Sequence, residues 1–164
     1  MTYSTRTLND VLKINYPDDK LIDFKLHHYE HLELNKFDLK NLDDFPDYRS
    51  HFASFAEQGL AYTIIISGKI SGVFGVFELW PGVYEFWMVP GKDLKKNTIA
   101  FHRRALAFFD YFWANTKPNR VQFTVCSLNF HADRWAKRCY FEREAVLRKY
   151  GPDGSDYFMY ARIS

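Results

Sequence analysis

The 164-residue sequence predicts an α+β fold, a mixed but mostly antiparallel sheet with helices on both faces. Three observations carry that expectation. β-rich runs separated by turn residues fill residues 61–90, a 3.6-residue apolar period takes over near residue 97, and the chain closes on a strand, a short helix and a hairpin.

In "AYTIIISGKISGVFGVFEL" two β-rich runs flank Ser67-Gly68-Lys69, which is hairpin grammar because glycine tolerates the positive φ of a tight turn. Trp80-Pro81-Gly82 marks a second turn into "VYEFWMV", so three antiparallel strands follow one another as a meander. After Pro90-Gly91 the period changes. In "NTIAFHRRALAFFDYFWANT" Ile99, Leu106, Phe109 and Trp113 share one face, and Phe101, Ala105, Phe108 and Phe112 widen it. A long helix of about five turns is expected, capped at Asn97 or Thr98 and ending before Pro118. "RVQFTVCS" reads as a strand, "NFHADRWAKRC" as a short helix capped by Asn129, and "EAVLRKY" as a strand pairing with "SDYFMYARI" across "GPDG". Ahead of residue 61 the chain is mostly polar, with helical periodicity in "LIDFKLHHYEHLEL" and "YRSHFASFAEQ".

With 47% hydrophobic and 19% aromatic residues the chain is sized for one sizeable core, so a single domain over residues 1–164 is expected. The aromatic run Phe108, Phe109, Tyr111, Phe112 and Trp113 most simply builds it. Charge is uneven: residues 1–60 hold 7 Lys/Arg against 11 Asp/Glu, whereas residues 61–164 hold 15 against 9. The second half therefore offers a basic surface, suited to a phosphate-bearing cofactor or a nucleic acid, or simply a solvated mixed-charge face. Arg103, Arg104, Arg134, Lys137 and Arg138 permit a nucleic-acid groove without defining one.

Cys126 and Cys139 are too few for a disulfide framework and lack metal-ligand spacing, so structural buried cysteines are expected. His27, His28, His31, His51 and His102 form no metal-ligand pattern either. The first residues lack an apolar stretch of signal-peptide length, and no later run approaches the roughly 18 apolar residues of a membrane span. A soluble, cytoplasmic protein is expected.

The closing stretch resembles a known family. Asn129, Ala132, Tyr140, Phe141, Glu144, Arg148, Gly154, Asp156 and Tyr160 stand where the GNAT superfamily of acyl-CoA-dependent N-acyltransferases carries its closing motif. That motif reads Asn-x-x-Ala/Ser, then Gly-Phe-x-x-Glu-Gly, a strand and a hairpin ending in Tyr-x-Tyr. The form is most similar to the branch that acetylates ribosomal-protein N-termini and to small GNAT-like proteins of tailed phages. It covers residues 61–162 as a recognisable core and leaves residues 1–60 as a variable N-terminal segment.

The resemblance implies acetyl-CoA as cosubstrate and an amine acceptor: a protein N-terminus, a lysine or a small amine. In the family the cofactor pyrophosphate sits on backbone N–H groups where the long helix begins, in a loop of pattern Gln/Arg-x-x-Gly-x-Gly/Ala. That position is Lys95, Lys96, Asn97, Thr98, Ile99 and Ala100 here, with Thr98 in place of the first glycine. If the position demands positive φ or close phosphate approach, a β-branched residue is poorly suited there, at a cost of roughly 1–2 kcal/mol. The pantetheine arm would bind the backbone of Trp87, Met88 and Val89, and Asn129 would touch the cofactor, cap its helix, or both.

For catalysis the resemblance points to Glu85 as base, with Glu78 as an alternative. Ser127 and His131 sit near the expected thiolate exit, Ser127 as proton donor, water-orienting group or turn former. A base matters most for lysine, which is neutral at pH 7 in roughly one molecule in 2,500, against roughly one in seven for an α-amine. Three departures stand out: Thr98, Tyr140 in place of a glycine, and Ala136 where the family often has a tyrosine. Two functional classes follow. One is an N-acetyltransferase; the other is a catalytically degenerate GNAT-fold binding protein or virion-associated phage component.

Overall fold

Two turns launch the sheet. In the computed structural model, which describes residues 3–14 and 17–164 and not the side chains of Lys95 and Asn97, Ser67 and Gly68 both take positive φ, 51° and 72°. That pair turns β2 (Gly59–Ile66) directly into β3 (Lys69–Trp80) with a twist that suits the strands. Pro81 and Gly82, the latter at φ 80°, turn β3 into β4 (Val83–Pro90). A 3-10 segment, Lys92–Asn97, then runs into α5 (Thr98–Thr116). β5 (Arg120–Cys126), α6 (Phe130–Arg138), β6 (Glu142–Leu147) and β7 (Tyr157–Ile163) complete the expected order.

The N-terminal part departs from expectation. The stretch "LIDFKLHHYEHLEL" is not one helix: it holds strand β1 (Lys20–Asp23) and a single helical turn, α2 (Leu26–Glu30). Strand conformation wins at β1 through tertiary contacts. Leu21 is buried, β2 pairs along one edge, and on the other the Asn9 side chain both accepts from Leu21 N (2.8 Å) and donates to Leu21 O (3.0 Å). Helices α1 (Thr5–Val11) and α3 (Lys36–Asp44) were not legible either, whereas α4 (Tyr48–Gln58) matches its periodic stretch. At the other end β6 stops at Leu147 rather than reaching Tyr150. Lys149 takes φ 54° and donates its N–H to Asp156, which begins the final turn early.

Among the described residues seven strands form one sheet in the order β1-β2-β3-β4-β5-β7-β6, antiparallel throughout except where β4 meets β5. Helices cover both faces. On one side α1, α5 and α6 bury Leu8, Phe108, Phe109, Phe112, Ala136 and Cys139 against Tyr62, Phe74, Phe86, Val121, Phe123 and Tyr160. On the other, Tyr29 of α2 and Phe52 and Phe55 of α4 pack on Val73, Phe77, Trp87 and Val89. Burial pushes the Cys139 thiol up to about 12, while Cys126 is only half-buried at the end of β5. Ile99, placed on the apolar helix face by its period, is 72% exposed, and Thr98 and Ala100 beside it in the first turn of α5 are exposed too.

The motif residues prove to be fastenings. Phe141 is core, the Tyr160 hydroxyl donates to Asp133 on α6, Gly154 takes φ 73°, and Tyr140 takes the left-handed conformation (φ 65°) usually left to glycine.

The Trp87 indole lies close against Gly75, where an added methyl would sit 2.6 Å from the indole nitrogen and 2.4 Å from the Leu60 carbonyl oxygen. Gly75→Ala is expected to lower stability by roughly 1–3 kcal/mol, read as a fall in thermal midpoint of a few degrees. An unchanged midpoint would mean that β3 and Trp87 are not packed this way.

Candidate functional site

β4 and β5 share three residue pairs, Val83↔Arg120, Tyr84↔Val121 and Glu85↔Gln122. β4 then continues to Pro90 held by β3, and β5 to Cys126 held by β7, without pairing to each other again. The sheet forks at Glu85. Phe86–Pro90 and Phe123–Cys126 therefore line a wedge whose two facing backbone edges have no strand partner.

Each face of the fork is closed differently. On the α5/α6 face aromatic rings fill it: Phe86 lies 5.7 Å from Phe123, and Trp135 of α6 sits 6.2 and 5.9 Å from those two rings. The Trp135 indole N–H is buried there without a hydrogen-bond partner among the described residues. On the opposite face α3 spans the gap. Asn35, its N-cap, donates to the Pro90 carbonyl at the tip of β4 (2.9 Å), and Asn41 donates to the Tyr157 hydroxyl beside the tip of β5 (3.1 Å). Between them Asp38 accepts from Tyr48 and Asn35, and burial holds its carboxyl above the usual range.

Glu85 occupies the point of divergence. Burial pushes its carboxyl up to about 7; a hydrogen bond from Gln122 Nε2 (3.0 Å) and the positive charge of Arg120 act in the opposite direction. Its second oxygen has no hydrogen-bond partner among the described residues. Glu78 is placed elsewhere: exposed, it accepts from the Gly82 N–H in the β3–β4 turn. Geometry thus separates the two carboxylates that sequence alone left as alternatives.

The backbone of Trp87, Met88 and Val89 runs along the unpaired edge of β4, with Trp87 and Val89 buried toward α4 and Met88 half-buried toward α5. Thr98 is helical, φ −54° and ψ −42°, so no left-handed strain falls on this β-branched residue. Lys96 points into solvent and pairs with Asp93 at 2.7 Å. The side chains of Lys95 and Asn97 lie outside the described residues. Asn129 caps α6, its Oδ1 accepting from Ala132 N at 3.2 Å, and Ser127 is the first corner of the turn between β5 and α6. His131 is exposed. Sequence reading missed Gln122, Arg120, Asn35 and Asn41. Alternation in "RVQFTVC" puts Arg120 and Gln122 on one face, but nothing local says that Glu85 sits opposite.

A sheet that forks between its fourth and fifth strands, with a long helix leaving one arm and a short helix leaving the other, is the fold of the GNAT acetyltransferases. The solved structures that this chain resembles bear that out. A GNAT-family acetyltransferase from Bacillus anthracis matches at 18% identity and TM-score 0.65 over 89% of this chain and 95% of its own. The ribosomal L7/L12 α-N-protein acetyltransferase RimL, in complex with coenzyme A, matches at 17% identity and TM-score 0.65 over 90% and 95%. The microcin C7 self-immunity acetyltransferase MccE, with acetyl-CoA and AMP, matches at 17% identity and TM-score 0.64 over 91% and 94%. No protein-family model and no curated protein matches the sequence. No helix among the described residues is long and apolar enough to cross a membrane.

A carboxyl raised from 4.5 to about 7 on folding makes stability depend on pH. The folded state favours the neutral form, so this contribution is complete below about pH 4.5 and is lost as pH rises through 7. Glu85→Gln, neutral at every pH, should match the parent near pH 4.5 and exceed it by about 2–3 kcal/mol at pH 8 in denaturant unfolding. Equal differences at both pH values would contradict a buried, high-pKa Glu85.

Proposed function

We propose that the chain is an acetyl-CoA-dependent N-acetyltransferase in which Glu85 is the general base toward an amine acceptor. The observation that supports this above others is a half-buried carboxyl poised at about 7 where two strands part and leave their backbone edges unpaired. An ammonium group must lose a proton before its nitrogen can attack a carbonyl carbon. A carboxylate of pKa near 7 is ionised often enough to take that proton, directly or through one water, and basic enough to hold it. The oxygen of Glu85 that Gln122 leaves unbonded is the acceptor for that proton.

Acetyl-CoA, when bound, supplies an activated acetyl thioester. The residues present fit such a group. Backbone along Trp87, Met88 and Val89 offers strand-like hydrogen bonds to the amides of a pantetheine arm, which would complete the unpaired edge. The 19-residue α5 directs its positive dipole end to its first turn, Thr98–Ala100, where a pyrophosphate would gain roughly 0.3–1 kcal/mol per favourable interaction. Lys96 supplies a cationic side chain there and Lys95 adjoins it in sequence, while Ser127 and Asn129, in the turn into α6, would be the groups to meet the departing thiolate. RimL and MccE, with their coenzyme A and acetyl-CoA complexes, lend support at the level of the shared fold.

A binding role without catalysis is the second reading. It is favoured by the exposed Asp93 carboxylate, which pairs with Lys96 beside the helix start and opposes an anion there. Calorimetric titration with acetyl-CoA separates the two. Micromolar binding that weakens about 10-fold or more in Lys95→Ala/Lys96→Ala supports the enzyme, whereas no binding up to millimolar rejects it in favour of a protein partner. With an acceptor found, Glu85→Gln should lower kcat/KM by roughly 10²–10⁴, and the parent's kcat/KM should rise with pH through about 7.

A further inference from the structure

The hydrogen bond between Gln122 and Glu85 has a direction that neither residue fixes by itself. A glutamine amide has a donor at one end and an acceptor at the other, and with free rotation either end could face the carboxyl. Arg120 removes the choice. Its Nε donates to Gln122 Oε1 at 2.6 Å, and because a guanidinium only donates, the amide carbonyl must face Arg120 and the NH₂ must face Glu85. Arg120 is itself clamped. Nη1 and Nη2 donate to the two oxygens of Glu144 at 3.0 and 2.5 Å, a bidentate pair of fixed geometry. Glu144 stands two strands away on β6, and Arg120 reaches it across β7 where Ala161, small and buried, pairs with both Gln122 and Glu142. Glu144 is also the extra residue of a β-bulge, since Arg143 pairs with Tyr160 and Ala145 with the adjacent Met159.

We propose that Arg120 is a positioning residue for Glu85: clamped by Glu144, it holds the Gln122 amide so that Glu85 always meets a donor, fixing one carboxylate oxygen and leaving the other for the acceptor. The proposal rests on Glu85 being the base. Arg120 is the charged group that acts on Glu85 from β5, and Glu144 on β6 acts through it. Among the described residues Arg120 is the one charged group that shifts Glu85: β7 presents Ala161 and Met159, β3 presents Phe77, α4 packs Phe55 on Phe77, and Glu142 of β6 lies beyond Ala161. Loss of Arg120 frees the amide to turn and withdraws a positive charge, and both effects disfavour the Glu85 carboxylate.

The test is a ¹³C NMR titration of the Glu85 carboxyl in the parent, Arg120→Met, Arg120→Lys, Gln122→Leu and the double variant Arg120→Met/Gln122→Leu. Arg120→Met should raise the midpoint by roughly one pH unit. Arg120→Lys, which keeps the charge but not the planar fork, should recover only part of that shift. In the Gln122→Leu background the effect of Arg120→Met should shrink, since there is no amide left to orient. Should Arg120→Met fail to fold, Glu144→Gln, which loosens the clamp while keeping Arg120, should give a smaller upward shift. An unmoved titration in folded Arg120→Met, or full recovery by lysine with no coupling to Gln122, overturns the proposal. Because the titration needs no turnover, absence of acetyl transfer in the parent would count against the functional reading alone. In an active enzyme the acid limb of kcat/KM should move with the NMR midpoint while the affinity for acetyl-CoA stays fixed.

Discussion

Among the described residues only three pairs join β4 to β5, and the molecule is organised around that short seam. Strands released from pairing lose their mutual hydrogen bonds, so something else must hold them at a fixed divergence. Phe86 on one arm and Phe123 on the other are held through Phe109, Trp135 and Phe141, with Phe86–Phe109 at 5.1 Å, Phe109–Phe141 at 5.0 Å and Phe123–Phe141 at 4.7 Å. Each such ring buries on the order of 150–250 Å² and prefers edge-to-face contact, so the cluster is both adhesive and shaped. Across the sheet, α3 ties the two tips together through the side chains of Asn35 and Asn41. The fork is thus an interruption in main-chain bonding that side chains keep open on both faces.

That arrangement also explains where the chain spends stability. Glu85 is the half-buried carboxyl at the seam, and the desolvation it suffers outweighs the help it receives from Gln122 and Arg120. Asp38, on the buried side of α3, is likewise displaced from its ordinary range, but Tyr48 and Asn35 both donate to it, which suits a structural group. Glu85, half-buried, has one hydrogen-bond donor among the described residues, and its second oxygen is left to solvent. The contrast between a satisfied and a half-satisfied carboxyl is the physical basis for assigning chemistry to one and architecture to the other.

How much of this could be read from sequence depended on how local the cause was. Turns that demand positive φ, the Asn129 cap and the long apolar period of α5 are decided within a few residues, and those elements stood out. β1 and α3 were obscure because their causes are distant: Asn9 completes the edge of β1, and Asn35 reaches a carbonyl 55 residues away. The polar residues of α3 read as solvated, yet Asn35, Asp38 and Asn41 are each less than 10% exposed. At the site, Glu85 was legible because the resemblance pointed to its strand. Its partners were not, because the β4–β5 register is a tertiary fact. The conformational part of the Thr98 departure is answered for a similar reason: the 3-10 segment before it delivers a helical backbone there, so positive φ is not demanded.

The bulge at Glu144 has a further effect. β6 ends the sheet, and Glu142–Val146 are exposed along it, which would ordinarily offer a straight row of amides and carbonyls to any passing strand. One inserted residue breaks the spacing of that row, and Glu142, Arg143 and Glu144 place charge along it. A second molecule cannot continue the sheet in register without burying those charges. The glutamate that steadies Arg120 therefore also keeps the last strand from templating edge-to-edge aggregation, and a variant that straightened β6 would trade solubility along with the clamp.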